Sequence, residues 1–302
     1  MKLLQFHLPD RGTRAGVLEG DRVVDLTEAD PDLRTTLDIL NRTVSQGRTM
    51  DEVVREVRPR ASRTFAYADL DAPPDLARPH LLTPICAPEV WGFGVTYKRS
   101  AVERDTDSAS DIYTRVYFGQ RPEVFFKATP SRCVGPNGAI CIRSDSSLTA
   151  VEPELAFVLG ADGQVAGYTV CNDVSAWDIE RDNPLYLPQS KVFLGCCAFG
   201  PVLVTPADLP DPYDLRISCR IVKRGKVAYE GEVHSSQINR PFEQLIACLT
   251  LDNPVPIGAA ITTGTGIMPP NDFALADGDR VDIEIEGIGL LSNPVKKLSN
   301  ER

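Results

Sequence analysis

Histidine is scarce in this chain: only His7, His80 and His234 occur among 302 residues. A histidine-built metal centre, or a nucleophile activated by imidazole, has almost no material to draw on. Basic residues are also in deficit. Lys and Arg number 32 against 42 Asp and Glu, a formal charge of −10. That balance argues against a nucleic-acid partner, because phosphate binding needs a basic footprint. No apolar run approaches the ~18 residues of a membrane span. The N-terminal MKLLQFHLPDRGTR holds too short an apolar stretch for a signal peptide. A cytoplasmic protein with no membrane partner is expected. The eight cysteines include no Cys-x-x-Cys pair, and the adjacent Cys196 and Cys197 suit neither a zinc knuckle nor an ordinary disulfide. Reduced cysteines packed as small hydrophobes are expected.

What is present is the composition of a globular protein, with 42% hydrophobic and 25% charged residues. Residues 1–72 read as a small α/β module. LLQFHL and AGVLEGDRVVDL supply short strands with a turn at Gly20-Asp21, and residues 31–57 carry helical patterning. Residues 73–88 contain five prolines and predict a linker. Residues 89–302 alternate short strands with glycine and proline turns. PFEQLIACL is the one convincing helix there, with Pro241 in a favourable first-turn position. The fold class expected is α+β and β-rich. The carboxylates of DIEIE, residues 282–286, alternate with isoleucines and predict the wet face of a strand.

The stretch TAVEPELAFVLGADGQVAGYTVCNDVS, residues 149–175, sets Glu152 and Glu154 two apart, on one face of a strand. Asp162-Gly163 between β-rich runs is a hairpin signal. With that turn, Glu152 falls opposite Asp173 and Glu154 opposite Cys171. Three carboxylates then share one face, an arrangement that repels itself where water is scarce. A hard divalent cation resolves the conflict, since oxygen ligands suit Mg²⁺, Mn²⁺ or Ca²⁺. The bland alternative is a solvated strand entrance.

The surrounding text favours the cation. GYTVCNDVSAWDIE, LPQSKVFLGCCAFGPVLVT, TTGT and RVDIEIEGIGLLSNPV, in this order, resemble the fumarylacetoacetate hydrolase superfamily across residues 85–297. The resemblance implies a mixed β-roll, a divalent metal on Glu152, Glu154 and Asp173, and a substrate whose 2-oxo acid group chelates that metal. It also implies a homodimer or homotetramer. Hydrolytic members carry Asn-Tyr-x-x-His-x-x-Glu, whose histidine and glutamate activate water. In VTYKRSAVE, Tyr97 and Glu103 hold their places but Ser100 replaces the histidine. A serine hydroxyl is no general base near neutral pH.

PEVWGFGVTY, RPEVFFKATPSRCVG, RSDSSLTAVEPELAFVL, NPLYLPQSKVFLGCCAFGPV and DNPVPIGAAITTGT resemble a non-hydrolytic branch, the 2-keto-3-deoxy-D-arabinonate dehydratases. That resemblance implies Mg²⁺-dependent removal of water from a 2-keto-3-deoxy sugar acid, giving 2-oxoglutarate semialdehyde. It places Glu123 and Lys191 at the substrate as catalytic residues. A lysine desolvated beside the cation, with its pKa lowered, serves as base or steadies the enolate; Glu123 serves as acid. Lys127, Tyr97 and Thr265 are substrate-binding candidates, the last in a Thr-Gly-Thr turn. Trp177 stands where many relatives have arginine, which implies altered substrate preference or a lost surface ion pair. Residues 98–120, polar and charged, predict either a mobile lid or an ordered helix-and-loop excursion. The competing readings are a hydrolase or decarboxylase of another 2-oxo acid, of acylpyruvate or oxaloacetate type, and a catalytically silent metal-binding protein.

Overall fold

The Asp162-Gly163 turn forms as its sequence requires. In the computed structural model, which describes residues 1–108 and 111–299, both turn residues hold positive φ, 52° and 72°. Asp and Gly tolerate that left-handed conformation. Strands Pro153–Leu159 and Val165–Asp173 pair antiparallel with Glu154 opposite Cys171. The Asp173 N–H donates to the Glu152 carbonyl at 2.9 Å, which puts that pair in register too. A register shift between Val158 and Leu159 is confined to the turn end, leaving the carboxylate end as predicted.

This hairpin lies inside a 12-stranded sheet. Val165–Asp173 pairs on its other side with Cys197–Val204, which pairs with the N-terminal strand Lys2–Leu8. From there the sheet continues through Gly12–Glu19, Arg22–Asp25 and Thr64–Ala66. In the opposite direction Pro153–Leu159 pairs with Ala260–Thr262, which runs parallel to Val90–Gly94, and Glu123–Ala128 follows. The proline-rich stretch contributes the short strand His80–Leu81 against Lys2–Leu8. A second sheet of five strands is built from Lys226–His234, Arg216–Lys223, Arg280–Ile285, Gly289–Lys297 and Ile140–Ile142. Strand pairing is mixed, mostly antiparallel, and the nine α-helices among the described residues are short, none longer than 11 residues.

Residues of the strand Pro153–Leu159 are all buried, as expected of a central strand covered on both faces. Phe157 stacks on Phe242 of the helix Phe242–Thr250, ring centroids 5.0 Å apart, fixing that helix on the sheet. Pro241 is its N-cap, one position before the first turn. The patterning of residues 31–57 resolves into helices Thr36–Gln46 and Met50–Val57, each opened by a Thr capping box. All eight cysteines are free. No helix among the described residues is long and apolar enough to cross a membrane.

One surface expectation needs correction. Within DIEIE, Glu284 and Glu286 are exposed but Asp282 is buried. Arg280 and the Ser292 hydroxyl both donate to the Asp282 carboxylate, which meets its hydrogen-bonding needs away from water.

Candidate active site

The hairpin register delivers the three carboxylates to one point. Oxygens of Glu152, Glu154 and Asp173 lie within 4.8 Å of one another, and all three residues are buried. Neighbouring elements close a cavity over them. Glu123 opens the strand Glu123–Ala128 directly opposite Gly94. A Cβ at position 94 would lie 2.0 Å from the Glu123 carboxylate, so glycine there is what lets this side chain lie across the strand. Lys191 ends the short helix Leu187–Lys191 and points inward. From the other side, Arg104 enters on the helix Lys98–Ser108 and Glu180 on Trp177–Asp182. Phe125, Ser100 and Thr265 also line the cavity.

Hydrogen bonds tie this group together. Lys191 Nζ donates to Glu152 Oε2 at 2.9 Å, Asp173 Oδ2 at 2.9 Å and Ser175 Oγ at 2.7 Å. Arg104 donates to Glu152 Oε1 at 2.9 Å and pairs with Glu180. The Trp177 indole N–H donates to the same Glu152 oxygen at 2.8 Å. Trp177 therefore holds a proposed metal ligand; it is buried and not the trace of a surface ion pair. Glu154 accepts from the Gly264 amide at 2.7 Å. Gly264 has φ of 84°, and a Cβ there would meet Thr96 Oγ1 at 2.2 Å, so the Thr-Gly-Thr turn needs its glycine.

Two candidates stand behind the cavity wall. Lys127 Nζ donates to the carbonyls of Val174 at 2.9 Å and Lys191 at 2.6 Å and is ion-paired with Asp173. It supports Asp173 and the lysine helix from beneath. The Tyr97 hydroxyl is buried with no hydrogen-bond partner among the described residues. Its ring packs where a Cβ on Gly266 would fall.

Burial and charge act on these groups in opposite directions. Desolvation, reinforced by Asp173 and Glu152, holds the Glu154 carboxyl well above its usual range. Desolvation also pushes the Glu123 carboxyl up, to about 7, despite the nearby Arg104. Burial raises Glu152 as well, but Lys191 and Arg104 outweigh it and leave this carboxyl depressed. The lowering expected of Lys191 is for a site holding the cation; without the ion, burial pushes its ammonium down, yet Asp173, Glu152 and Glu180 raise it further. Lysine desolvation beside the metal carboxylates was legible in the sequence; the third carboxylate, Glu180, was not.

The residues present fit a divalent cation. Five carboxylates line the cavity, Glu123, Glu152, Glu154, Asp173 and Glu180. Three cations face them, Arg104, Lys191 and the underlying Lys127. The all-oxygen donor set at the triad, and the mutual repulsion that raises Glu154, match a hard dication such as Mg²⁺.

Residues 89–296 match the fumarylacetoacetate hydrolase C-terminal family. The chain belongs to the fumarylacetoacetate hydrolase family. It is 50% identical over 219 residues to a 2-dehydro-3-deoxy-D-arabinonate dehydratase of Saccharolobus solfataricus, covering 71% of this chain and 74% of that one. A probable 2-keto-3-deoxyxylonate dehydratase of Haloferax volcanii is 46% identical over 274 residues, 90% of this chain and 91% of that one. The structure of a 2-keto-3-deoxy-D-arabinonate dehydratase complexed with magnesium and 2,5-dioxopentanoate aligns with a TM-score of 0.83 at 39% identity, covering 99% of this chain and all of that one. The β-rich α+β architecture is thus the fold of this family.

Against the family's hydrolytic pattern the site lacks both water-activating groups. Ser100 lines the cavity in place of the histidine. Glu103 keeps its sequence position but turns outward to pair with Arg99 at 2.7 Å. Arg104 and Glu180 were not singled out in the sequence, where each reads as one charge among many on a polar helix. The excursion over residues 98–120 forms two helices, Lys98–Ser108 and Ile112–Phe118; residues 109 and 110 lie outside the described residues.

Glu154→Gln keeps the shape and the Gly264 hydrogen bond but removes an anionic ligand. Calorimetry should show Mg²⁺ affinity lost, with cooperative unfolding retained. Glu152→Ala should lose Mg²⁺ in the same way, and undiminished affinity in both variants would contradict the ligand set.

Proposed function

We propose that the chain is a Mg²⁺-dependent dehydratase that removes water from a 2-keto-3-deoxy sugar acid, of the D-arabinonate type, to give 2-oxoglutarate semialdehyde. The observation that carries this reading is the joining of a metal-competent carboxylate triad to Glu123 and Lys191 in a cavity without the hydrolytic histidine and glutamate. The names and bound ligands of the relatives support the same substrate class.

Glu152, Glu154 and Asp173 would hold the magnesium. The ion would supply an electron sink for a chelating 2-oxo acid, making its C3 protons acidic. Glu123, with its carboxyl near 7, exchanges a proton readily at neutral pH. It takes the C3 proton and returns it to the departing C4 hydroxyl, leaving water and a C3=C4 enone. Loss of a C5 proton with protonation at C3, then ketonisation of the C4=C5 enol, gives the aldehyde. Lys191, kept cationic by its carboxylate neighbours, steadies negative charge developing on the C2 oxygen. The remaining space in the cavity is about 10 Å³, room for about one water or ion. A five-carbon acid needs more room than this, so the cavity must open to admit substrate.

We also infer a homo-oligomer. Leu185 and Leu194, 84% and 58% exposed, flank the helix that carries Lys191. Large apolar side chains on this segment support burial against a second copy. Sedimentation at micromolar concentration should give a dimer or tetramer; a monomer would contradict the inference.

The activity test incubates the protein with Mg²⁺ and 2-keto-3-deoxy-D-arabinonate, following semialdehyde, beside an acylpyruvate and oxaloacetate. Turnover of the pentonate alone is expected, and Glu123→Gln should lower kcat by at least ~10²-fold. Turnover of a competitor without the pentonate would sink the proposal. Glu123 also leaves a mark on stability. Its folded carboxyl is raised from 4.5 to about 7, so its contribution is full below the unfolded value and is lost as pH rises through the folded one. Wild type should lose part of its Tm between about pH 4.5 and 7 relative to Glu123→Gln; parallel Tm–pH curves would contradict this protonation.

A further inference from the structure

In a chain with a formal charge of −10, four arginines gather in one place on the N-terminal segments. Arg11 stands on the turn between strands Lys2–Leu8 and Gly12–Glu19, and Arg14 on the second of these strands. Arg34 lies just ahead of the helix Thr36–Gln46, and Arg63 just ahead of the strand Thr64–Ala66. Together they line a cleft of about 250 Å³ that also contains Thr27 and Glu28. None of its lining residues belongs to the carboxylate cavity.

Gathering like charges is unfavourable unless anions offset them. The inner pair is offset. Fully buried Asp25 takes Arg14 Nε at 2.7 Å and Arg63 at 3.4 Å on the same oxygen, which fixes both guanidiniums in the floor. Glu28 accepts backbone N–H groups of Ser62 and Arg63 at 2.9 and 2.6 Å and adds a weaker contact to Arg63. The outer pair is not offset: among the described residues no carboxylate lies within ion-pair distance of the Arg11 or Arg34 side chain. Four guanidiniums thus have side-chain ion pairs to only two carboxylates among the described residues, although the Asp38 carboxylate accepts the Arg34 backbone N–H at 3.1 Å.

We propose that this cleft is a binding site for a small dianion, a phosphomonoester or a dicarboxylate. Arg11 and Arg34 clamp the ligand from the rim, and Arg14 and Arg63, pre-positioned by Asp25, meet it from below. The planar guanidinium fork suits paired oxygens of either group. Preorganisation of the floor spares the ordering cost of two long side chains.

Calorimetry on the full chain tests this, with metal-free protein in a zwitterionic buffer lacking chelator. Inorganic phosphate and succinate are titrated in separate arms, and the tighter of the two identifies the head group. At least one should saturate a single site per chain in the millimolar range or below, about −4 kcal/mol or better. Binding should weaken as salt is raised. The double variant Arg11→Gln/Arg34→Gln changes only exposed side chains and should keep the wild-type Tm and Mg²⁺ affinity. It should lose at least ~10-fold in anion affinity. Absence of saturable binding by either anion up to ~10 mM, or wild-type anion affinity in the double variant, overturns the proposal.

Discussion

Three buried carboxylates within 4.8 Å of one another are the constraint around which this structure is organised. Left to themselves they would repel across a site with little water, and burial already holds Glu154 above its usual range. The fold answers with fixed cations on two sides. Lys191 bridges Glu152 and Asp173, Lys127 braces Asp173 from behind, and Arg104 covers the remaining oxygen of Glu152. These cations leave the repulsion at Glu154 unrelieved, which a divalent cation bound among the three carboxylates would relieve.

The same cations set the chemistry apart from hydrolysis. A lysine enclosed by carboxylates is held toward its charged form, and in the mechanism proposed above the proton traffic therefore falls to Glu123. Glu123 acquires its mobile proton from burial, and its placement depends on Gly94 directly across the strand pair. With Ser100 in the cavity and Glu103 turned toward Arg99, the histidine–glutamate pair of the hydrolytic pattern is missing from the described site. Elimination of a hydroxyl already on the substrate needs no such pair.

Local pattern made the carboxylate hairpin legible. An Asp-Gly turn and a two-residue alternation fix register over a short separation, so the Glu152–Asp173 juxtaposition followed from arithmetic along the chain. Family motifs supplied Glu123 and Lys191, which no periodicity singles out. What stayed hidden depends on long-range placement. Arg104 reaches Glu152 across 48 residues of sequence, and Glu180 gains meaning only from that contact. Lys191 shows the limit most directly: its place beside Glu152 and Asp173 was foreseeable, but the third carboxylate that raises it, Glu180, is brought there only by the fold. Asp282 reads as a wet strand residue and is buried because Arg280 and Ser292 satisfy it. The arginine cleft likewise draws on four segments, none distinctive by itself.

The central claim is that the triad is a divalent-cation site, and anomalous scattering from a crystal soaked in Mn²⁺ tests it most directly. The account predicts one strong peak bonded by oxygens of Glu152, Glu154 and Asp173, beside the Lys191 ammonium. A fully soaked crystal with no peak among these carboxylates, or with its strong peak elsewhere, would contradict it.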